Sequence, residues 1–525
     1  MPTHDEFIAH WPLTEDARDV SGNGHDGDAR GVRFRDGAGW FDGRFAHIEV
    51  PHTPGLNLGA NDFTISAKVR TEAVLDHVLG DILCKYDPAA RRGINFGLMN
   101  YAGVTSSQCN WRNVFFGIDN GKLDPAWTDC GKPGNAVCVF ALCVHKGDLY
   151  AGTFETGKDE SGRVYRYQGG TEWEDCGSPH PSNSVMSMAE LDGALYAAAS
   201  HYRSRGSSLA ESENEIPGAR VFRYEGGAKW TDCGGLPDRE AIMGLAVYKG
   251  KLYASSLYAP AGLFRYDGGT TWTYCGHPGG RMEALTVWRG HLYGSGYDEH
   301  FGGVYRYVGG EEWEDCGTPA DTTQTYSFMS VEGEMYVGTW PSGRVYRFDG
   351  QMGWENAGQL GEEKEVMGMA VYNGKLYAGT LPLAQVYRYD GDGAWALTGQ
   401  LDTTPDVTYR RAWTMAVYQG RLFCGTLPSG RVYSIEAGKA VTHDYALEPG
   451  WRHLAAVREG GELRLYVDGR EAAKSGPFNP SDFDVSNDKP LRIGFGMHDY
   501  FNGAMKDLRI HSRALSPDEL ARLGT

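Results

Sequence analysis

The sequence predicts an all-β protein in which a seven-bladed β-propeller is inserted into a jelly-roll β-sandwich. Three observations predict it. A repeat with a period close to 41 residues fills the middle of the chain, the flanking segments are strand-rich but lack the repeat, and helical patterning is almost absent. Composition agrees. The 525 residues include 73 glycines and 30 tyrosines and are 41% apolar, which suits many short strands joined by tight turns around large cores.

The repeat is marked by a tryptophan followed three residues later by Cys, Ala or Thr and then by Gly. It occurs at Trp127, Trp173, Trp230, Trp272, Trp313, Trp354 and Trp395, at spacings of 46, 57, 42, 41, 41 and 41 residues. A four-stranded propeller blade needs about 40–45 residues. One copy reads as a strand over 366–372, the turn Asn373-Gly374, a strand over 375–380, a short loop, a strand over 385–389 and an outer strand from Trp395. Val, Tyr and Leu fill the strands, and Asn-Gly and Gly-Gly mark the hairpins. The first outer strand, at Trp127, precedes the first three-strand unit, while the last unit, ending Arg431-Val-Tyr433, has no outer strand after it. The first must therefore complete the last blade. Such a clasp leaves no open sheet edge and brings the two ends of the insert together.

The flanks give the division 1–120 for the first half of the host domain, 121–438 for the propeller and 439–525 for the second half. The first half carries Trp11-Pro-Leu, Asp19-Val-Ser-Gly-Asn-Gly-His-Asp-Gly27, Phe41-Asp-Gly43 and Asp62-Phe-Thr-Ile65. The second carries Trp451-Arg-His-Leu454, Leu463-Arg-Leu-Tyr-Val-Asp-Gly469 and Leu508-Arg-Ile510. Together, over about 200 residues, these segments resemble laminin-G-like domains of the concanavalin A-like lectin/glucanase superfamily. The resemblance implies two antiparallel sheets packed face to face, with neither half able to close a core alone. It also implies glycan binding as a frequent role and, in some members, a structural calcium. Here the stretch Ser21 to Gly27 reads first as a turn, since Gly, Asn and Asp dominate turns for conformational reasons. No cofactor and no metal ligand set is expected. Ser516-Pro-Asp-Glu519 opens the one helix, a Ser cap followed by Pro and acids.

A net charge of −18 argues against nucleic acid as a partner. No apolar run reaches membrane-spanning length, and no membrane partner is expected. The first residues lack a basic segment followed by an apolar one, so the chain is expected to be cytoplasmic, or secreted with a leader absent from this sequence. Five of the ten cysteines (Cys130, Cys176, Cys233, Cys275 and Cys316) share one repeat position. Equivalent positions in different blades lie beyond disulfide reach, so they read as small buried packing residues. No C-x-x-C pair suggests zinc. Asp267-Gly-Gly-Thr-Thr-Trp272 resembles the Asp-box of sialidases but has Arg265 where that motif has serine, and reads as a structural turn.

Topology selects the face that can hold a site. The turns joining the first and second strands of each blade are minimal, as at Asp192-Gly193. The connections at the opposite end are longer and differ from blade to blade, which is where binding groups collect. The second blade's loop, from His201, accounts for the 57-residue spacing and is long enough to act as a lid. Aromatic faces suit sugar rings, and guanidinium forks suit carboxylates. The expected ligand is therefore carbohydrate, an acidic, uronate-containing poly- or oligosaccharide. Substrate-binding candidates are Tyr202, Arg203, Arg205, Tyr326, Trp340, Arg410 and Arg411. Catalytic candidates are His201, Tyr258, Tyr297, His300, Asp298 and Glu283. In a lyase, Arg would neutralise the uronate while His and Tyr serve as base and acid. In a glycoside hydrolase, Asp298 and Glu283 would flank the bond. A non-catalytic glycan-binding or protein-interaction scaffold is the third class. A lectin-like array tends to repeat one pocket per blade, so the unlike loops tilt the reading toward an enzyme.

Overall fold

A computed structural model describes residues 7–122, 125–297 and 300–524. It is all-β apart from short 3-10 turns and one terminal helix, Pro517–Gly524. Ser516 and Glu519 cap that helix reciprocally, each side chain facing the other's backbone N–H. Among the described residues no helix is long and apolar enough to cross a membrane.

Seven four-stranded antiparallel units make up the middle of the described chain. Each innermost strand packs against the next, and the seventh (Arg411–Tyr418) packs against the first (Cys138–His145), closing a ring. The seventh unit takes its outer strand from the start of the insert: Thr128 pairs with Ser434 and Asp129 with Tyr433. Asp129 also forms an ion pair with Arg431 at 2.6 Å. The repeated tryptophans stitch blade to blade. The indole of Trp173 donates to the carbonyl of Cys130, Trp230 to Cys176 and Trp272 to Cys233, each at 2.8–2.9 Å. The cysteine column thus supplies carbonyls to the next blade's tryptophan while its sulfurs fill small buried spaces, and all ten thiols are free.

The flanks form two sheets. In one, Phe63–Thr71 lies between Asn502–His511 and Gly450–Glu459. In the other, Leu491–Ile493 lies between His47–Val50 and Gly80–Asp87. Strands from the two ends of the chain alternate, so each sheet is incomplete without both. Trp11, Phe41, Ile65, Phe96, Phe116, Leu454 and Leu508 share the core between them. The chain leaves on Asn110–Asn120 and returns on Lys439–His443, which are paired neighbours.

The sandwich is not a distant handle. It covers the end of the propeller that carries the minimal turns. Gly147 N donates to the Asp444 carbonyl, Lys249 N to Leu75, Gly333 N to His498 and Gly420 N to Thr442 Oγ1, all at 2.9–3.2 Å. The loop joining Arg92–Tyr101 to Asn110–Asn120 enters the ring axis and bonds to every innermost strand. Cys109 accepts from Val144, Ser106 Oγ donates to Met186 O, and Ser106 O accepts from Leu245 N. Ala102 O accepts from Thr286, Gly103 O accepts from Phe328 N, and Tyr101 OH donates to Val371 O. Thr105 Oγ1 donates to Trp413 O. Thr105, Ser106 and Ser107 are fully buried. The axis is therefore stoppered from the sandwich side.

Candidate functional site

Closure of one end leaves a cup at the other. The residues that shape it follow from one alignment of the seven innermost strands. Six start at the same pairing register against their neighbours, among them Arg281 with Tyr297, Gln324 with Trp340, Glu365 with Leu381 and Arg411 with Leu427, and the third starts one residue later, at Ile242, so that Ala241 holds the equivalent place. Two residues further on, six blades place Phe140, Met186, Met243, Tyr326, Met367 and Trp413, which form one apolar cluster beneath the cup. The fourth blade places Glu283 in that column. A carboxylate thus sits in a ring that is otherwise apolar.

The cavity holds about 460 Å³. It is lined by Tyr202, Arg203, Arg205 and Glu211 from the second blade's loop, by Tyr258 and Tyr297 from second strands and their ends, and by Arg281, Glu283, Tyr326, Arg411 and Trp413 from innermost strands. Glu283 is 2% exposed and Glu365 1%. Burial pushes the Glu283 carboxyl up to about 7, with Glu365 adding to the effect while Arg281 and Arg411 oppose it. Burial likewise raises Glu365, opposed by Arg411 and a hydrogen bond from Tyr326. Both ion pairs are loose: Arg281 Nη2 lies 3.6 Å from Glu283 Oε1, and Arg411 Nη2 lies 3.8 Å from Glu365 Oε2. Glu283 Oε2, Glu365 Oε1, Arg281 Nε, Arg411 Nε and Trp413 Nε1 are buried with no hydrogen-bond partner in the protein. Four of these atoms belong to residues that line the cavity, Arg281, Glu283, Arg411 and Trp413, while Glu365 reaches it only through its pair with Arg411; buried polar groups are otherwise satisfied, so the set suits a polar ligand.

The arginines are held by aromatic faces and by the lid. The Arg281 guanidinium lies 3.2 Å from the Tyr297 ring centre, and that of Arg203 lies 4.6 Å from the Tyr258 ring centre. Arg411 donates to Ser207, which also bonds the Tyr202 hydroxyl. The lid base is fixed by a reciprocal pair, Asn183 Nδ2 to Tyr202 O and Tyr202 N to Asn183 Oδ1. Its far end folds back on the first blade, where Glu213 N donates to Thr156 O. Tyr258 and Tyr297 are held above the usual phenol range, chiefly by burial, and Tyr326 well above it. These phenols stay protonated and can donate.

The sequence candidates divide. Tyr202, Arg203, Arg205, Tyr258, Glu283, Tyr297, Tyr326 and Arg411 line the one cavity. His201 does not; its Nδ1 turns toward Glu240, 3.7 Å away. Trp340 packs edge-on against Tyr409 with ring centres 6.3 Å apart, and Arg410 Nε donates to Thr404 O at 2.7 Å. Strand alternation sends Arg410 away from its neighbour Arg411. His300 is exposed on the loop past Tyr297, and Asp298 lies outside the described residues. The histidine half of the expected acid–base pair is therefore not in the cup. Glu365 escaped the loop-based reading because it opens a strand. Aligning the innermost strands column by column would have found it, together with the odd glutamate at 283. In the sandwich, Asp19, in the stretch weighed as a calcium loop, accepts from the backbone of His10, Ser21 and His25 and from Ser21 Oγ, and its carboxyl is held below the usual range. Among the described residues no three acidic, histidine or cysteine side chains cluster as a metal site would need.

Comparison with known proteins adds fold and little more. A family profile described as the concanavalin A-like lectin/glucanases superfamily matches residues 394–521. That span begins inside the sixth blade, and the sandwich strands occupy its part from Lys439 onward. No curated protein sequence matches the chain. Among solved structures, YCF48 from Cyanidioschyzon merolae is 11% identical, with a TM-score of 0.42 over 59% of this chain and 99% of its own. A virginiamycin B lyase from Staphylococcus aureus is 8% identical, with a TM-score of 0.46 over 59% and 98%. The WD40 β-propeller domain of Doa1 is 10% identical, with a TM-score of 0.42 over 62% and 100%. Likeness at this level concerns the fold alone.

Proposed function

We propose that the cup binds the anionic ring of a uronate-containing saccharide and eliminates its 4-substituent, as a polysaccharide lyase does. The observation that carries this reading is Glu283, a buried carboxylate with a free oxygen, poised near neutrality beside an arginine stacked on tyrosine. Arg281 and Arg411 would take the substrate carboxylate. Their charge lowers the cost of the electron pair that moves onto it when the C5 proton leaves. Glu283 would accept that proton. The departing O4 would take a proton from a tyrosine hydroxyl, Tyr297 or Tyr326, and a C4–C5 double bond would remain. A base with a pKa near the working pH is the efficient choice for such a transfer.

A second reading has its own observation. Glu283 and Glu365 are two buried carboxylates, each raised by burial and Glu283 further by Glu365, a pair that could supply a glycoside hydrolase acid and its partner. The same experiment separates the readings. The protein is incubated with a panel of acidic and neutral polysaccharides, read for reducing ends and for the ultraviolet absorbance of an unsaturated uronate. Reducing ends with absorbance support elimination, and reducing ends without it support hydrolysis. Retained binding with no cleavage leaves the scaffold reading, and no interaction with any acidic sugar overturns the carbohydrate assignment.

A further inference from the structure

We infer that the cup reads the end of a saccharide chain and not its interior, an inference that rests on the sugar-binding reading above. An interior segment must continue in both directions from the site, so it needs an open groove or a passage with two mouths. The axis here has one mouth, narrowed on one side by the second blade's loop with Arg203, Arg205 and Glu211. The cavity floor is the ring containing Met186, Met243, Glu283 and Trp413. Beneath that floor the sandwich loop fills the axis, with Ser106 bonded to Phe140 and Met186 and Thr105 bonded to Trp413. The stopper touches the same strands that carry the floor residues, so no chain can leave that way.

Size points in the same direction. A volume of about 460 Å³ lies toward the low end of small-ligand pockets, roughly 300–1,000 Å³. That is room for a short oligosaccharide end and not for a long chain. Charge is distributed to match. Arg281 and Arg411 stand deep, where Arg411 is 6% exposed. Arg205 stands on the lid at the mouth, with its side chain 85% exposed and a loose 3.7 Å contact to Glu211. The arrangement places one guanidinium set for the carboxylate of the terminal ring and another for that of the ring behind it.

The test is calorimetric titration with galacturonate, trigalacturonate and polygalacturonate fractions of defined length, with guluronate- and glucuronate-containing oligomers run in parallel. Glu283→Gln protein serves as an uncleaving receptor. An end-reading cup binds one protein per chain, so capacity per gram of polymer falls in inverse proportion to chain length. Capacity per gram that stays constant with length, with several proteins on each long chain, overturns the inference and leaves sugar binding intact. No heat with any uronate overturns the sugar-binding reading itself and this inference with it. Arg205→Ala tests the second charge. It should weaken trigalacturonate about tenfold while leaving the monomer within twofold; an equal loss for both would overturn the second-ring assignment and put Arg205 at the terminal ring, and no loss for either would place it outside recognition.

Discussion

Glu283 occupies a column that six other blades fill with Phe, Met, Tyr or Trp, and burial of its carboxyl without full pairing costs stability. Two substitutions separate what it costs from what it does. Glu283→Met restores the apolar ring and should raise unfolding stability at pH 8 by about 1–3 kcal/mol, the usual penalty of an unsatisfied buried polar group, measured by denaturant titration. Glu283→Gln keeps the shape of the side chain but cannot accept a proton. Turnover on whichever uronate substrate the panel identifies should fall at least about 100-fold, the lower range of general acid–base contributions, with binding little changed. Wild-type turnover should rise with pH through about 7, because the carboxylate is the active form and burial delays its ionisation to that range. A profile flat from pH 5 to 8 would remove Glu283 from the chemistry. Most of these side chains were legible in the sequence, because longer, unlike loops and strand starts at one end of a propeller converge on its axis. His201, Trp340 and Arg410 were misread for a physical reason. A loop's position gives the end of the barrel, whereas strand alternation and local pairing, here Glu240, Tyr409 and Thr404, decide where each side chain points.

At the scale of elements, the repeat was readable because tryptophan, turn glycines and alternating strands recur with a fixed period. The clasp followed from counting strands. Its ladder, Thr128–Asp129 against two residues of Val432–Ile435, is continued by Cys130 N to Val432 O and Val432 N to Gly131 O, and Trp127 ties it to the sixth blade, with its indole bonded to Thr398 Oγ1 at 3.1 Å. Trp127→Ala should cost about 2–3 kcal/mol, below the roughly 3–5 kcal/mol of a fully buried tryptophan, because Trp127 is only half-buried. Chemical unfolding monitored by circular dichroism checks this, and a loss under 1 kcal/mol would mean the seam is held elsewhere. The axial stopper was not legible. Tyr101-Ala-Gly-Val-Thr-Ser-Ser-Gln-Cys109 has the composition of an ordinary surface turn. Its main-chain carbonyls and the side chains of Tyr101, Thr105 and Ser106 bond to seven strands that lie far away in sequence, a constraint that leaves no local period.

Across the whole molecule, the seam between sandwich and propeller buries acid groups. Asp499 Oδ2 accepts from Ser330 Oγ of the fifth blade at 2.6 Å, and Asp499 Oδ1 accepts from Tyr500 N at 2.7 Å. Burial raises Asp499 to about 7, with Asp81 adding to the effect and Arg289 and the hydrogen bonds opposing it. Asp81 is itself pushed up to about 7 by burial. His77 and His498 in the same seam are held far below the usual imidazole range, to about 3 and about 4, again by burial, so they stay neutral across the window that matters. The sign follows from proton counting. Between pH 4 and 7 an unfolded aspartate has lost its proton while folded Asp499 keeps it. The native state then binds more protons than the unfolded one, and stability falls as pH rises, at most about 1.4 kcal/mol per pH unit for one such group. Asp499→Asn keeps a neutral acceptor for Ser330 and takes no part in the titration. Relative to wild type, its melting temperature should climb steadily as the buffer is raised from about pH 4.5 to about pH 7, then hold a constant offset to pH 8.5. Calorimetric scans of both proteins across that series give the measurement. Two parallel curves over the whole range would mean that Asp499 titrates as an ordinary surface acid and that water reaches the seam.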